Sequence, residues 1–520
     1  MRKIKLLVAL LSAVCATAAL YGQKQGKGLP PKSEAKTAAV AARAAEREGL
    51  AVGFDREVFA NPAMMRFRYS TSLTAVTGRY SHRSETEALD LQQGNKANHG
   101  AFDARTYILY KESALWGAAS YANGQTAGVR YNETSDADLL YPYVLADTTR
   151  GDMKQERYAF SGGYASFNGR IGWGATLGYE AGLDYRNVDP RPRNVTGRLT
   201  AALGLSAKVL KGHTLGASAH FQRYQQTNEV EFLSEMGQEK LYHLTGLDND
   251  YARFAGTAYD TYYKGYLYGL GIQLLPLSER GFTATIGVSR FTFDNILSDL
   301  NELPLASATH DRVAGTLAYK WRTTGGDAFM LKAAAATSRR RGRENLFGDA
   351  ASGIYPQIGQ LDLFYHFRKN ASLALLWSKT SGRFTVEAAP RLGYVHDNTV
   401  YALPRSSRLI NSLTWGVQAK AMLRTSGMLS TITAGYSARE PLDSELILAS
   451  GTVSPSPAAQ LTMSNFRFES RRSSVLNLGL STHVPIARQY ALTARLGWQH
   501  GFHAFSVGSD RLQASLGVEF

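Results

Sequence analysis

The sequence has a single cysteine, Cys15, which excludes a secreted domain held together by disulfide bonds. Proline is scarce, at 15 of 520 residues, while aromatic residues make up 11% of the chain. Together these values exclude a disordered or collagen-like protein. After residue 22 no apolar run approaches the roughly 20 residues that a membrane-spanning helix needs, so a helical membrane protein is excluded as well.

The first 64 residues differ in composition from the rest of the chain. Basic residues at the start, followed by the apolar stretch Leu6–Leu20 and small residues near Gly22, predict a signal peptide over 1–22. Residues 24–50 are rich in alanine, lysine, glutamate and arginine, which favours a helix or a flexible tail. We expect 23–64 to form a periplasmic N-terminal segment. It is too short for a folded plug domain, which counts against a plugged, energy-coupled receptor.

From about residue 65 the dominant pattern is an alternation of apolar and polar residues. In Arg170–Tyr185 every odd position is apolar and no even position is, which is the period of a β-strand. The same alternation recurs in 198–209, 413–423 and 490–499. Several segments keep it for about 11–16 residues, whereas strands of soluble proteins average about 5–6 and bilayer-spanning strands need about 9–11.

The stretches between the alternating segments are short and long in turn. Short turns are expected at 111–114, 168–169, 211–213, 276–281, 323–327, 380–382, 425–427 and 486–488. Longer polar stretches fall at 83–99, 132–156, 186–194, 228–260, 295–310, 340–358, 398–407 and 439–460. This alternation predicts an all-β fold over 65–520, a transmembrane antiparallel up-and-down β-barrel with short periplasmic turns and long external loops. The strand number is about 18, and a merge or split near 361–379 or 460–485 would give 14 or 16.

The carboxyl terminus ends on an aromatic residue in the apolar register. Leu516, Val518 and terminal Phe520 alternate with polar or glycine residues. This resembles the closing strand by which bacterial outer-membrane barrels are recognised by their assembly machinery. The resemblance implies that these three residues form a C-terminal assembly signal.

The signal peptide, the long alternating hairpins and Phe520 together resemble a bacterial outer-membrane β-barrel. The Tyr21–Gln23 boundary and the size are similar to Bacteroidota outer-membrane barrels of unknown function. Asn61-Pro62-Ala63 also resembles, more weakly, the stretch before the barrel in long-chain fatty-acid transporters. This chain has more candidate strands than the fourteen of that family, so a hydrophobic-substrate route is not implied.

Motifs for catalysis, metals and cofactors are missing from the sequence. It contains no His-Glu-x-x-His, no phosphate-binding loop and no Gly-x-Ser-x-Gly. We therefore predict no enzyme activity, no catalytic residues, no metal site and no cofactor. Basic residues are spread over strands and loops without a recognition module, so no nucleic-acid partner is expected either.

Charged residues of the polar strand faces and loops are the candidate functional residues. A lumen that attracts anions is predicted from the net charge of +15. The dense basic run at 339–343 could bind lipopolysaccharide phosphates at the outer rim, or could be a solvated loop edge. The candidate lumen residues are Arg170, Glu180, Lys208, Lys420 and Arg495, and the candidate rim residues are Arg339, Arg340, Arg341 and Arg343.

Two functional classes remain open at this point, with transport first, while a third, a membrane enzyme, has no motif to support it. Barrels of 16–18 strands leave an aqueous channel unless something fills it, which favours a channel or uptake pore for small solutes or ligands. The long loops equally suit a surface-binding protein or a component of an outer-membrane complex. The long acidic stretch Asn228–Asp260 could fold inward as a constriction or bind a partner. Expected partners are outer-membrane lipid, lipopolysaccharide and the barrel-assembly machinery; the substrate is not indicated.

Overall fold

The computed structural model describes residues 36–210, 212–234, 240–251, 254, 260–425, 427–450, 455–487 and 489–520. The predicted signal peptide and residues 23–35 lie outside the described residues. Most of the described chain is β-strand, and none of its helices is long and apolar enough to cross a membrane.

Eighteen strands form one closed antiparallel barrel, which confirms the predicted fold class and strand number. Each barrel strand pairs with its neighbours in sequence, and the barrel closes where β1 pairs with β21, from Ala75 opposite Glu519 to Glu85 opposite Ser509. Three short strands, β4, β9 and β10, form a separate small sheet. The strands are β1 Leu73–Glu85, β2 Lys96–Leu109, β3 Ser113–Val129, β4 Leu145–Ala146, β5 Gly151–Phe167, β6 Ile171–Tyr185, β7 Arg191–Leu210, β8 His213–Glu231, β9 Tyr242–Gly246, β10 Asn249–Asp250, β11 Thr261–Pro276, β12 Gly281–Leu297, β13 Leu303–Arg322, β14 Ala328–Phe347, β15 Gln357–Ser381, β16 Phe384–Tyr401, β17 Ser406–Thr425, β18 Met428–Ile447, β19 Ser473–Ala487, β20 Tyr490–Phe502 and β21 Gly508–Glu519.

Helices are few, and none of those in the described chain is part of the barrel wall. They are α1 Lys36–Glu48, α2 Ala51–Phe54, α3 Ala137–Leu140 and α4 Pro457–Glu469, with short 3₁₀ turns at Val58–Ala60, Pro62–Phe67, Leu91–Gln93, Ser298–Leu300 and Ala504–Ser506. The helix α4 begins where the Ser456 side chain accepts a hydrogen bond from the backbone N–H of Ala459, with Pro457 as the first helical residue.

The connections alternate as predicted, so the barrel has a short-turn end and a long-loop end. The expected turns fall between the observed strands in all eight places. The long connections differ from the expectation in several places. Residues 303–310 belong to β13 and residues 340–347 to β14, so the connections predicted at 295–310 and 340–358 are shorter than expected. The one expected at 439–460 lies at 448–472, because α4 occupies the start of what was read as a strand, and 503–507 joins β20 to β21 where no loop was predicted.

The predicted faces of the strands are also the observed ones. In β6 the apolar odd residues lie on the outer wall, where Ile171 is 57% exposed and Leu177 is 60% exposed. The even residues face the lumen, where Gly174 lies against the N-terminal segment. In β21, Leu516, Val518 and Phe520 lie on the outer wall, and the backbone of Phe520 exchanges hydrogen bonds with Thr74 of β1.

Candidate functional site: the lumen and its two closures

The described part of the N-terminal segment lies inside the barrel at the short-turn end. The first strand begins at Leu73, eight residues after the expected boundary at 65, and residues 42–67 run along the inner wall before it. We call residues 42–67 the collar. The sequence predicted a periplasmic N-terminal segment over 23–64, without indicating a position in the barrel.

The collar makes a circuit of the wall, contacting strands in descending order. Ala44 and Ala45 pack on β17 and β18, while Leu50 and Phe54 pack on β13 to β16. Val58 and Met64 contact Leu275 of β11. The last turn, Pro62–Phe67, lies against β5, β6 and β7 before the chain enters β1. The position of the collar therefore depends on these contacts with the wall.

Glu48 is the most heavily paired residue of the collar. Its carboxylate lies 2.8 Å from Nη2 of Arg495, 3.4 Å from Nε2 of His483 and 3.9 Å from Nζ of Lys420. The Lys420 ammonium also donates to the backbone carbonyl of Glu48, and His483 Nδ1 lies 3.0 Å from Glu519. Burial favours a higher pKa for Glu48, but the hydrogen bond with His483 and the charges of Arg495 and Lys420 outweigh it and lower the pKa to about 2. The carboxylate is therefore ionised over the physiological range.

Asn61 fixes the opposite side of the collar. Its amide nitrogen donates to Gln273 at 2.8 Å and to the backbone carbonyls of Ala217 and Leu205 at 3.1 and 3.3 Å, and its oxygen accepts from Ala63. The side chain is fully buried. Glycines on β6, β7 and β8 leave the space for it, because a Cβ on Gly204 would lie 1.9 Å from the Asn61 oxygen.

Two further ion pairs and one backbone contact hold the middle of the collar. Lys320 pairs with Asp55, and Lys332 lies 2.8 Å from Glu57. Glu387 of β16 accepts a hydrogen bond of 2.6 Å from the backbone N–H of Leu50. Charged side chains on the inner faces of the strands thus contribute much of the attachment of the collar.

Loops close the lumen from the other end. The segments 130–150 and 240–251 fold inward, and β4 pairs with β9 to join them. Leu140 and Tyr143 pack on inward aromatic residues of β8, β11 and β12. Asp248 accepts from Ser406 and from the backbone of Ser450, which ties the inward loops to the loop carrying α4. The inward-folding alternative for Asn228–Asp260 is therefore the observed one for residues 240–251.

A buried charge cluster anchors the loop 130–150 to the wall. Arg186 lies 2.9 Å from Glu133 and 3.0 Å from Asp147, and all three side chains are essentially inaccessible to solvent. Burial first, and then the Asp147 carboxylate, raise the pKa of Glu133 well above its ordinary value against the opposing effect of Arg186. The three side chains together hold the loop 130–150 on the wall.

The five candidate lumen residues divide into three groups. Lys420 and Arg495 face the lumen and hold the collar, and Glu180 lies 3.4 Å from Arg198, which in turn reaches Asp136 of the inward loop. Lys208 is exposed near the short-turn end of β7, in the lumen-facing register. Arg170 lies in the turn between β5 and β6 instead of on a strand face.

The basic run at 339–343 is divided between the two faces of β14. Arg339, Arg341 and Arg343 point outward, where Arg343 lies 2.7 Å from Asp362. Arg340 points inward, because successive residues of a strand face opposite sides. It donates to the backbone carbonyls of Asp138 and Tyr141 and so holds the inward loop. Arg340 is therefore separated from the outward group.

The middle of the inner wall carries arginines that face open space. Arg105, Arg312 and Arg391 are exposed in lumen-facing register, and the structure shows no ion pair for them among the described residues. The lumen can therefore attract anions by charge.

No group of three or more acidic, histidine or cysteine side chains in the described chain is arranged to hold a metal ion.

Sequence reasoning missed the residues that attach the collar. Glu48, Asn61, His483 and Glu519 were not among the candidates. The weak Asn-Pro-Ala resemblance includes Asn61, but it was noted as a similarity to fatty-acid transporters and not as a sign that Asn61 attaches the collar. Glu48 had no local signal, because its partners lie hundreds of residues away in sequence.

This geometry defines a closed 18-strand barrel with an apolar outer wall and a polar lumen, into which one segment folds near each end. The chain belongs to DUF6850, a family of unknown function whose model matches residues 62–520. None of the curated proteins compared with it matches.

Solved structures with a similar fold include receptors and a channel. The ferric preacinetobactin receptor BauA of Acinetobacter baumannii is 9% identical with a TM-score of 0.38, covering 87% of this chain and 80% of that one. A mutant of the ferric enterobactin receptor PfeA of Pseudomonas aeruginosa is 9% identical with a TM-score of 0.39, covering 87% and 81%. A deletion mutant of the monoaromatic hydrocarbon channel TodX is 10% identical with a TM-score of 0.32, covering 89% and 93%.

Proposed function

We propose that the protein is an integral outer-membrane β-barrel that acts as a gated channel or uptake pore for small solutes, with a preference for anions. The observation that carries this proposal is a lumen with arginines that lack an ion pair in the described chain, occupied near each end by a segment that is held non-covalently. An 18-strand wall encloses enough space for an aqueous path once those segments move.

The outer wall supports the membrane part of the proposal. Large apolar side chains point outward around the barrel, and aromatic pairs such as Phe282–Tyr319 and Trp321–Phe329 lie near the short-turn end. On β12 to β14 the apolar band stops at a row formed by Arg290, Asp311 and Arg339. Apolar bands bordered by aromatic and then charged residues are typical of barrels in a bilayer.

The orientation of the barrel in the membrane is inferred from the general architecture of bacterial outer-membrane barrels. Short turns would face the periplasm and long loops the cell exterior. Recognition of Leu516, Val518 and Phe520 by the assembly machinery remains a prediction, as does the assignment to Bacteroidota. The collar would then close the periplasmic mouth.

The arginines of the middle wall support the anion preference. Arg105, Arg312 and Arg391 lie between the two closures with no carboxylate bound to them in the described chain. Unpaired cations in a pore raise the local concentration of anions. Neither the substrate nor its size follows from this arrangement.

A second function is favoured by the completeness of the two closures. A barrel whose lumen is permanently filled would present its loops as a binding surface or as a part of a larger assembly. The packing of α4 on Tyr131 and Leu244 supports this alternative, since it binds three loops together.

Single-channel recording separates the two functions. The mature protein would be compared in planar bilayers with one variant lacking residues up to 60 and another in which a short linker replaces 232–260. We expect rare, short openings in the intact protein and stable conductance in the variants, with anions carrying most of the current. Correctly folded barrels that never conduct, with either closure removed, would contradict the channel and favour the binding function.

A further inference from the structure

The outer wall carries an open groove of about 1230 Å³ across β12 to β17. Its floor is formed by small residues, among them Gly315, Ala333, Ala335 and Ala371. Large apolar side chains form its sides and point away from the lumen, and Leu317 and Leu373 are each about half exposed. The small residues thus leave a depression in a wall that is otherwise covered by bulky side chains.

Basic side chains border the long-loop end of this groove. Lys369 lines it and lies opposite Thr337 in the pairing of β14 and β15. Arg339 follows in the next outward position, with its guanidinium 5.2 Å from the ring centre of Phe367. Arg341 and Arg343 continue the row toward the loop. A cationic patch therefore begins where the apolar groove ends.

The charge of this patch is only partly neutralised. Asp362 pairs closely with Arg343 and lies 3.9 Å from Arg341, and Asp311 pairs with Arg290. Five basic groups thus face two carboxylates on this part of the outer wall. Arg339 and Lys369 have no ion pair among the described residues, so both can accept an anionic group from outside.

The spacing suits one molecule with an apolar and an anionic part. A strand tilted by about 40° rises about 2.5 Å per residue along the barrel axis. From Ala335 to Arg341 this gives about 15 Å between the groove floor and the cationic patch. An apolar groove beside a cationic patch matches the arrangement of an acyl chain and its phosphate in a bilayer lipid.

We propose that this groove and patch bind a phosphate-bearing acyl lipid of the leaflet at the long-loop end. An acyl chain lies over Ala333, Ala335 and Ala371, and the phosphate is bound by Arg339, Arg341 and Lys369. Arginine binds phosphate oxygens through paired N–H groups, and the lysine stem can extend along the groove toward the headgroup. The proposal rests on the membrane location proposed above, but not on transport.

The test is native mass spectrometry of the full-length mature barrel in detergent, with bisphosphorylated lipid A as the probe. Phosphatidylcholine and inorganic phosphate serve as comparison ligands. One variant removes charge, R339Q with K369Q, and another fills the groove, A333L with A335L. The matched control, K154Q with K264Q, removes two outward cations that lie beside aromatic rings elsewhere on the wall. Heat-modifiable migration in gels confirms that each variant is folded.

We expect lipid A occupancy to fall roughly tenfold in both test variants, the size expected for losing one charged hydrogen bond, and to be unchanged in the control. Equal occupancy in all four proteins would overturn the proposal. A second result would also overturn the proposal: inorganic phosphate abolishes lipid A binding, while A333L with A335L leaves it intact. The site would then recognise phosphate alone. Loss of a two-barrel mass in the groove variant would instead assign the surface to a second copy.

Flotation with liposomes, run in parallel, separates this inference from the proposed function. A barrel that inserts and conducts without retaining lipid A would contradict the lipid site alone. A folded barrel that never inserts would contradict the membrane location on which both rest.

Discussion

Glu48 joins the collar to three strands at once, through Lys420 of β17, His483 of β19 and Arg495 of β20. Removing its charge takes one carboxylate partner from each of three basic groups in a partly buried site, and leaves Glu519 as the remaining carboxylate beside His483 and Arg495. We expect E48Q to cost about 1.4 kcal/mol in collar attachment, which corresponds to about tenfold faster hydrogen exchange over 42–60. E279Q is the control, because Glu279 lies in an exposed turn with a single ion pair to Arg322. Identical exchange in the two variants would show that Glu48 does not hold the collar.

Acid should weaken the same attachment. The pKa of Glu48 is lowered from 4.5 to about 2, so its contribution is fully present above about pH 4.5 and is lost as the pH falls toward 2. Collar exchange in the native protein should therefore accelerate across that window more than in E48Q, where this group does not titrate.

The buried cluster around Arg186 predicts the opposite pH dependence for the loop closure. Because the pKa of Glu133 is raised, the closed loop retains a proton that the open loop releases above pH 4.5, so closure weakens as the pH rises toward that raised pKa. E133Q should remove this slope. R186M should remove the cation that faces both carboxyls and cost roughly 3 kcal/mol. Hydrogen exchange over 131–147 measures both, and a pH slope that persists in E133Q would refute the assignment.

At the scale of elements, the collar depends on glycines that let backbone meet backbone. A Cβ on Gly174 of β6 would lie 2.5 Å from the carbonyl carbon of Pro62 and 2.6 Å from the nitrogen of Ala63, and neither can rotate away. G174A should therefore displace the turn Pro62–Phe67 and increase channel opening several-fold. G100A is the matched control, because a Cβ there meets nothing within 4 Å. Equal opening in both variants would mean that the turn is not part of the gate.

The strands could be predicted from sequence and the closures could not, for one physical reason. Alternation is a local property of each strand, because an outward side chain is apolar whichever strands are its neighbours. This local pattern was enough to predict β6, β7, β17 and β20 correctly. The collar has no such local rule. The Leu50–Glu387 hydrogen bond spans 337 residues, and a helical composition at 24–50 does not show which surface will receive it.

The structure of the loops could be predicted from the sequence only in part. The length and acidity of 228–260 allowed an inward fold without requiring it, and the pairing of Leu145 with His243 decides the matter only in three dimensions. The helix α4 was read as the start of a strand, although Ser456 and Pro457 are a recognisable helix start. Of the candidate lumen residues, Lys420 and Arg495 were placed correctly on the inner face but assigned to the pore when they hold the collar.

At the scale of the whole molecule, the charge of +15 becomes meaningful once the fold separates inner from outer cations. If the proposed channel is correct, inward arginines act on solutes in the lumen, while outward ones point away from the lumen and should not affect permeation. In a barrel opened by G174A, we expect R312Q with R391Q to reduce the anion-over-cation permeability ratio about threefold, since two of the unpaired cations are removed. Reversal potentials in a salt gradient measure the ratio. The outward pair K154Q with K264Q removes the same net charge and should leave it unchanged, whereas an equal shift in both would mean that the net charge of the barrel, and not its lumen, selects the ion.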